Sequence, residues 1–230
     1  VSNESFPETL VILGACGTSR ESYWVVREES PRTRVVFVED VSDVLHLDVL
    51  GEQIPVIKDW DFSRVRKEAG GGDPDTFTQF ICGMGSPRVK RIMVERALEI
   101  GLRPAPSIIS SRAVLRPDVR FGRGGVVFPT SVFTSNIQVG DFVHNLMGIV
   151  GHDCVIGDYA TVGSGCCIAG HVTLGEGVCL GFSTMIRQRL TIAPWVESGM
   201  GAVITRDIAE EGVTVVGVPA RELRKVNGTT

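Results

Sequence analysis

The chain has 230 residues, 43% of them hydrophobic, and 23 basic against 27 acidic side chains leave a formal charge of −4. That is room for two modest domains, while the lack of a long apolar run or a basic block excludes a membrane span and argues against nucleic acid or an anionic membrane as partner. Six cysteines without CxxC spacing speak against a structural zinc, and the opening VSNESFPETL has neither a basic start nor an apolar core, so a reducing cytoplasm is the expected setting.

Residues 9 to 14 read as an apolar strand running into Gly14-Ala15-Cys16-Gly17-Thr18-Ser19, with a helix following through Glu28. Free backbone N–H groups at such a turn suit a phosphate or another anion. Ser19 stands where a dinucleotide fingerprint has its third glycine, so a plain strand-to-helix turn stays open as the reading. A second strand, Val35 to Val38, ends in Glu39-Asp40, carboxylates placed to accept from ribose hydroxyls or a base. Solvated surface charge accounts for them as well.

Residues 51 to 57 read as a short strand, 60 to 69 as a helix, and Gly70 to Pro74 as a loop. Residues 77 to 82 form a further strand, closed by Gly83-Met84-Gly85-Ser86-Pro87. An amphipathic helix over 88 to 100 follows, with Pro87 in its first turn. Alternating strands and helices predict a small Rossmann-like parallel α/β sheet over residues 1–106, with room for one mononucleotide half.

From Pro104 the pattern changes. Val150, Ile156, Val162, Ile168, Leu174, Leu180, Ile186 and Ile192 recur every sixth position, and only Ser198 breaks the series before Ile204. Such a period predicts a triangular parallel β-solenoid over residues 107–230, three short faces to a turn, with each aliphatic side chain inward. Gly157, Gly163, Gly175, Gly181 and Gly199 are expected at sharp bends where a Cβ would crowd the corner. Before residue 150 the inward positions read as Val114, Arg120, Val126 and Val132, then Val139 and His144. That uneven spacing predicts a bulge that re-aims Asn145. Residues 215 to 221 are expected to cap the solenoid's open end.

One turn of eighteen residues puts His152 beneath Gly170, Asp153 beneath His171 and Asn145 beneath Gly163. His152 with the adjacent Asp153 reads as a base held by a carboxylate, and Gly170 as a backbone donor beside it. Acyl transfer needs that pair: a base for the nucleophile's proton and a donor for the oxyanion. On this register Gly170→Ala is a mild control, provided its methyl fits. A plain surface histidine remains open, and so does a non-catalytic sugar-nucleotide-binding scaffold. A solenoid zinc hydratase would need three convergent histidines, and His144, His152 and His171 are poorly spaced for it. Nothing basic adjoins Cys166 or Cys167 in sequence, so direct transfer is expected rather than an acyl-cysteine.

Gly14 to Ser19, Phe37 to Asp40, Gly85-Ser86-Pro87, GHDCVIGD and VGVPAR occur in this order. Together they resemble the bacterial nucleotide-sugar acetyltransferases of the left-handed β-helix superfamily, over residues 9 to 224. This family takes in sialic acid O-acetyltransferases, bacillosamine-type UDP-4-amino-sugar N-acetyltransferases and GDP-perosamine N-acetyltransferases. The resemblance implies a homotrimer with acetyl-CoA between neighbouring solenoids, a nucleotide-linked amino sugar on the N-terminal domain, and no metal. It assigns His152 as general base, Asp153 as its carboxylate and Gly170 as the N–H at the thioester carbonyl. Asn145 matches a residue facing the acceptor sugar, and Cys16, Gly17, Thr18, Glu39, Asp40 and Gly85 match nucleotide-binding positions. Thr161 stands where the family often has a second histidine on acetyl-CoA, and Thr18-Ser19 where it usually has His-Gly. Acetylation of an amine is expected, with a sugar hydroxyl as the alternative.

Overall fold

The computed structural model describes residues 6–40, 42–43, 45–58, 60, 62–68 and 78–223. The loop expected at Gly70 to Pro74 and the first residue of the strand expected from 77 lie outside them. Elements β1 (Thr9–Leu13), α1 (Gly17–Glu29), β2 (Arg34–Val38), β3 (His46–Val49) and β4 (Glu52–Ile57) come first. They are followed by α2 (Phe62–Glu68), β5 (Gln79–Cys82), α3 (Pro87–Glu99) and β6 (Arg103–Pro104). The six strands form one sheet in the order β3-β4-β2-β1-β5-β6.

The central strand β1 is buried on both faces, as its unbroken Leu-Val-Ile-Leu run requires. Leu10 and Ile12 pack with Tyr23, Val25 and Val26 of α1, whereas Val11 and Leu13 pack with Met93, Val94 and Ala97 of α3. All pairings are parallel except β3 with β4. That hairpin corrects the all-parallel expectation. Its two-residue turn, Leu50-Gly51, has both residues at positive φ (52° and 84°), the geometry that matches strand twist. Leu-Gly lacks the Asn-Gly or Asp-Gly signature that announces such a turn in a sequence.

From Ile108 onward, strands mostly of two residues stack into faces of eight, six and five strands, a parallel β-solenoid of the left-handed β-helix type. Beyond residue 150 the register is eighteen, as in Val155 against Thr173 and Cys167 against Met185. Val150, Ile156, Val162, Ile168, Leu174, Leu180, Ile186, Ile192 and Ile204 all point inward at no more than 3% exposure. Ser198 also turns inward. Its Oγ bonds the Thr184 hydroxyl at 2.7 Å and accepts the Gly181 N–H at 3.1 Å, so the break in the series is satisfied rather than exposed.

Before residue 150 the inward positions are one later than the sequence suggested, at 115, 121, 127, 133 and 145, except Val139, which points inward as expected. Val127, Phe133 and Val139 are buried in the solenoid core, with Leu115 and Phe121 packed against it, while Val114 is exposed. The spacing there is a regular six through Asn145, and a single five-residue step then reaches Val150. Strand pairs accordingly change from eighteen (Val126 against His144) to seventeen (Val132 against Ile149, His144 against Thr161) and back. One coil is a residue short, and no residue is added. Asn145 therefore pairs with Val162, not Gly163.

The corner glycines answer to the neighbouring coil. A Cβ on Gly163 would lie 2.5 Å from Leu180 O, and one on Gly175 2.5 Å from Pro194 N. The left-handed backbone falls elsewhere, at Asn136, Asp153, His171 and Arg189 among others (φ 51° to 61°).

The sheet and the solenoid share their cores. Ile108, Val126, Phe128 and Leu146 join the cluster around Leu10 and Phe37, and Phe142 stacks between Phe80 (5.7 Å) and Tyr159 (5.4 Å). Lys90 of α3 is fully buried at this seam, donating to Phe142 O (2.9 Å), Tyr159 O (3.2 Å), Ala160 O (3.3 Å) and Thr161 Oγ1 (3.0 Å). At the far end Thr214–Val216 and Arg221–Glu222 pair antiparallel and close the eight-stranded face. No helix among the described residues is long and apolar enough to cross a membrane.

Candidate active site

Two groups of expected residues are assembled, at different places. The first lies at the carboxyl edge of the sheet. β2 flanks β1 on one side and β5 on the other, so a topological switch point lies between β1 and β5, where open α/β sheets take ligands. Cys16, Gly17 and Thr18 open α1 there. The Cys16 N-cap makes no side-chain capping bond to the first N–H groups of α1. Gly14 is at φ 90°, and a Cβ on it would strike Met84 Sδ at 2.3 Å. Ser19 is buried and donates to Gly83 O at 3.2 Å, so the residue in the third-glycine position ties α1 to the end of β5. Gly85 faces Thr18, whose Oγ1 would be 3.4 Å from a Cβ there.

Glu39 and Asp40 differ from one another. Glu39 is buried, and its Oε1 meets Lys58 Nζ at 2.6 Å and the Ser42 N–H at 3.2 Å. Burial pushes its carboxyl up, but Lys58 and Ser42 outweigh this and hold it below the ordinary glutamate value. Asp40 is exposed and accepts from Trp60 Nε1 (3.2 Å) and the Arg96 guanidinium.

The second group lies on one corner of the solenoid. His152 Nδ1 is 2.7 Å from Asp153 Oδ2, so the ring presents Nε2 away from the carboxylate. Gly170 lies directly over the ring, since a Cβ built there would stand 2.6 Å from both Cε1 and Nε2. The expected stacking is thus observed, but Gly170→Ala is no mild control, because its methyl would occupy the imidazole. Among the described residues nothing accepts the Gly170 N–H. His171 stands over Asp153, with Nε2 3.5 Å from the same Oδ2.

Asn136 is a site residue that sequence reasoning missed. Eighteen-residue counting puts Ser135 under Asp153, but the shortened coil puts Asn136 there, with Nδ2 donating to Asp153 Oδ1 at 2.6 Å. Asn136 is fixed in turn by Asp118, whose Oδ2 accepts its backbone N–H at 2.9 Å. Asp153 is consequently held below the ordinary carboxylate range, by Asn136 first and His152 second.

Three expected residues are covered. Asn145 is fully buried. Its Oδ1 accepts the Gly148 N–H at 2.6 Å across the five-residue step, and its Nδ2 is buried without a partner among the described residues. Thr161 is 5% exposed, donates to Gly85 O at 2.8 Å and accepts from Lys90, joining solenoid to sheet rather than lining the outer surface. His144 is buried with Nε2 on Cys82 O at 2.6 Å, and burial drives its pKa well down. The three histidines therefore do not converge. Burial also pushes the Cys166 thiol up to about 11 and raises Cys154, which removes both as thiolate nucleophiles.

A concavity at the N-terminal end of the solenoid, between Phe6, Glu29, Pro106 and Phe121, includes none of these residues. The His152 corner is open, with side chains of His152 and Asp153 58% and 34% exposed. The described residues of a single chain leave it open to solvent.

Residues 153–188 match the family model described as bacterial transferase hexapeptide (six repeats). The chain is also 30% identical over 152 residues to the GDP-perosamine N-acetyltransferase of Escherichia coli O157:H7, covering 64% of this chain and 68% of that one. The chain belongs to the hexapeptide transferase family. Several solved structures superpose on nearly all of it. PerB of Caulobacter crescentus, in complex with CoA and GDP-perosamine, is 25% identical with a TM-score of 0.80, over 96% of this chain and 100% of that one. The acetyltransferase domain of PglB from Neisseria gonorrhoeae, in complex with acetyl coenzyme A, is 26% identical with a TM-score of 0.79, over 94% and 99%. WeeI from Acinetobacter baumannii is 28% identical, also at 0.79 and over 94% and 99%. This hexapeptide transferase thus shares its whole architecture, sheet and solenoid together, with proteins that hold CoA.

Proposed function

We propose that this hexapeptide transferase moves the acetyl group of acetyl-CoA to the amino group of a nucleotide-linked amino sugar. In this reading the Rossmann-like sheet of residues 1–106 holds the sugar nucleotide, and the left-handed β-helix of residues 107–230 carries out the transfer. The observation that carries the reading is the corner where His152, oriented by Asp153, lies under the unpaired N–H of Gly170. Asp153 keeps the proton on Nδ1, so Nε2 offers a lone pair. Nε2 takes the proton of the attacking amine as its nitrogen bonds to the thioester carbonyl, and the Gly170 N–H receives the charge that develops on the carbonyl oxygen. As the carbon–sulfur bond breaks, His152 returns the proton to the departing thiol. No cysteine is acylated.

The free N–H groups of α1, with Cys16, Gly17, Thr18 and Gly85 around them, suit the diphosphate. Asp40 and the second oxygen of Glu39 suit ribose hydroxyls. Acetyl-CoA has its place outside Gly170, on an outward stripe of Ile149, Cys167, Met185 and Val203 one step before the His152 corner. A homotrimer supports both needs, because a second copy against this stripe would supply the wall that one chain lacks.

The test is release of CoA thiol over UDP-, GDP-, CMP- and dTDP-linked amino sugars, with mass spectrometry of the product. One amino sugar nucleotide gaining an N-acetyl group is the expected result. Release only with sugars that carry no amine would replace the amine with a hydroxyl, and no release with any of them would leave a binding protein.

A further inference from the structure

The transfer chemistry leaves His171 without a task. It sits one coil above Asp153 on the same corner, in the left-handed conformation (φ 60°), with its side chain 43% exposed. Its ring meets that of His152 edge-on, centroids 5.1 Å apart at 89°. Asp153 Oδ2 is common to both, 2.7 Å from His152 Nδ1 and 3.5 Å from His171 Nε2. One ligating atom from each of the three residues lies within 4.8 Å of the other two.

We infer that His152, Asp153 and His171 form a binding site for a divalent transition cation of the zinc class, and that the bound cation silences acetyl transfer. Two imidazole nitrogens and one carboxylate oxygen are a ligand set suited to zinc and its borderline neighbours, and they leave a position open to water. Magnesium and calcium prefer oxygen ligands and fit poorly. The carboxylate is held from behind, since Asn136 Nδ2 occupies Oδ1 at 2.6 Å and Asp118 fixes Asn136, an outer layer of the kind that orients metal ligands.

The silencing follows from the two imidazole nitrogens and rests on His152 being the base. A neutral imidazole carries one proton. A cation that takes the Nδ1 lone pair leaves that proton on Nε2, and Nε2 then has no lone pair for the amine. No proton is gained or lost overall. The cation is an inhibitor in this scheme and takes no part in turnover.

The experiment uses the full chain, stripped with chelator and then freed of it, and titrated with zinc chloride. Calorimetry is expected to show one zinc per chain with His171-dependent affinity. Thiol release should fall as the site fills and recover with EDTA, and magnesium at about a hundredfold higher concentration should do neither. His171→Ala is expected to keep the metal-free rate within about twofold while weakening zinc binding at least tenfold, on the order seen when a metal site loses a supporting group. Zinc binding as tight to His171→Ala as to the wild-type chain, or no binding at all, would overturn the site. His171-dependent binding with undiminished turnover would overturn the silencing. A fully active His152→Ala variant alongside it would trace that failure to the base assignment.

Discussion

Asp153 shows what one short side chain does when every partner is fixed. Asn136 on Oδ1 and His152 on Oδ2 hold its carboxyl below the ordinary range. Asp153→Asn removes a negative charge that favours imidazolium. The acid limb of the kcat/KM profile is therefore expected to move to lower pH, with a fall in kcat smaller than that of losing the base. An unmoved limb would detach Asp153 from the titrating group. Gly170 is constrained just as tightly, by a ring 2.6 Å from where its Cβ would be. Gly170→Ala is expected to displace the imidazole from Asp153 and lower kcat by at least roughly tenfold, in a chain that still folds, because even small misplacement of a catalytic group is costly. Wild-type turnover in that variant would contradict the stacking.

At the scale of elements, legibility tracked how regular the repeat is. The inward residues from Val150 to Ile192 could be read directly, since aliphatics at every sixth place leave one possible phase. Upstream, Val114, Val126 and Val132 are as apolar as the true inward residues Leu115, Val127 and Phe133, and a pair of adjacent hydrophobics cannot show which one points in. The one-residue shortening at 145–150 hid the answer and with it Asn136. The loop residues at the sheet edge could be named in sequence, whereas the engagement of Glu39 by Lys58 depends on a contact nineteen residues away.

Lys90 was hidden for another reason: it occupies a place in the buried stripe of α3, with Pro87, Met93, Val94 and Ala97, where an apolar residue would be read. Burial lowers its pKa to about 7, although four oxygens surround Nζ. An unfolded lysine titrates near 10.4, so between about pH 7 and 8.5 the unfolded chain binds more protons than the native one, and stability contributed at this residue rises with pH. Lys90→Met removes the donor those oxygens share and leaves Phe142 O and Tyr159 O without one, whereas Ala160 O keeps the His144 N–H. It is expected to cost about 2–4 kcal/mol at pH 7 and to remove that part of the pH slope, both measured by denaturant unfolding. An unchanged unfolding midpoint would remove Lys90 as the clamp between α3 and the solenoid.

In the proposed function the molecule as a whole carries two binding tasks on one continuously packed body. The sheet edge and the solenoid corner are linked through α3 and the fused cores, and Thr161 on Gly85 O is a direct tie between them. In the proposed homotrimer a second copy would wall the His152 corner against the outward stripe that includes Ile149 (45% exposed) and Met185 (50% exposed). Met185→Glu places a charge in that stripe. By light scattering it is expected to shift the trimer toward monomer, with activity lost in parallel, whereas a stable, active trimer would place the subunit interface elsewhere.

The central claim is that His152 is the base for acetyl transfer to a sugar amine, and one comparison tests it most directly. Wild-type and His152→Ala chains are assayed for thiol release with the amino sugar nucleotide that the screen selects, and acetyl-CoA binding to each is measured by calorimetry. The expected result is unchanged binding with kcat lower by roughly 10²- to 10⁴-fold in the variant. Turnover within a fewfold of wild type, in a variant that binds acetyl-CoA normally, would contradict the account.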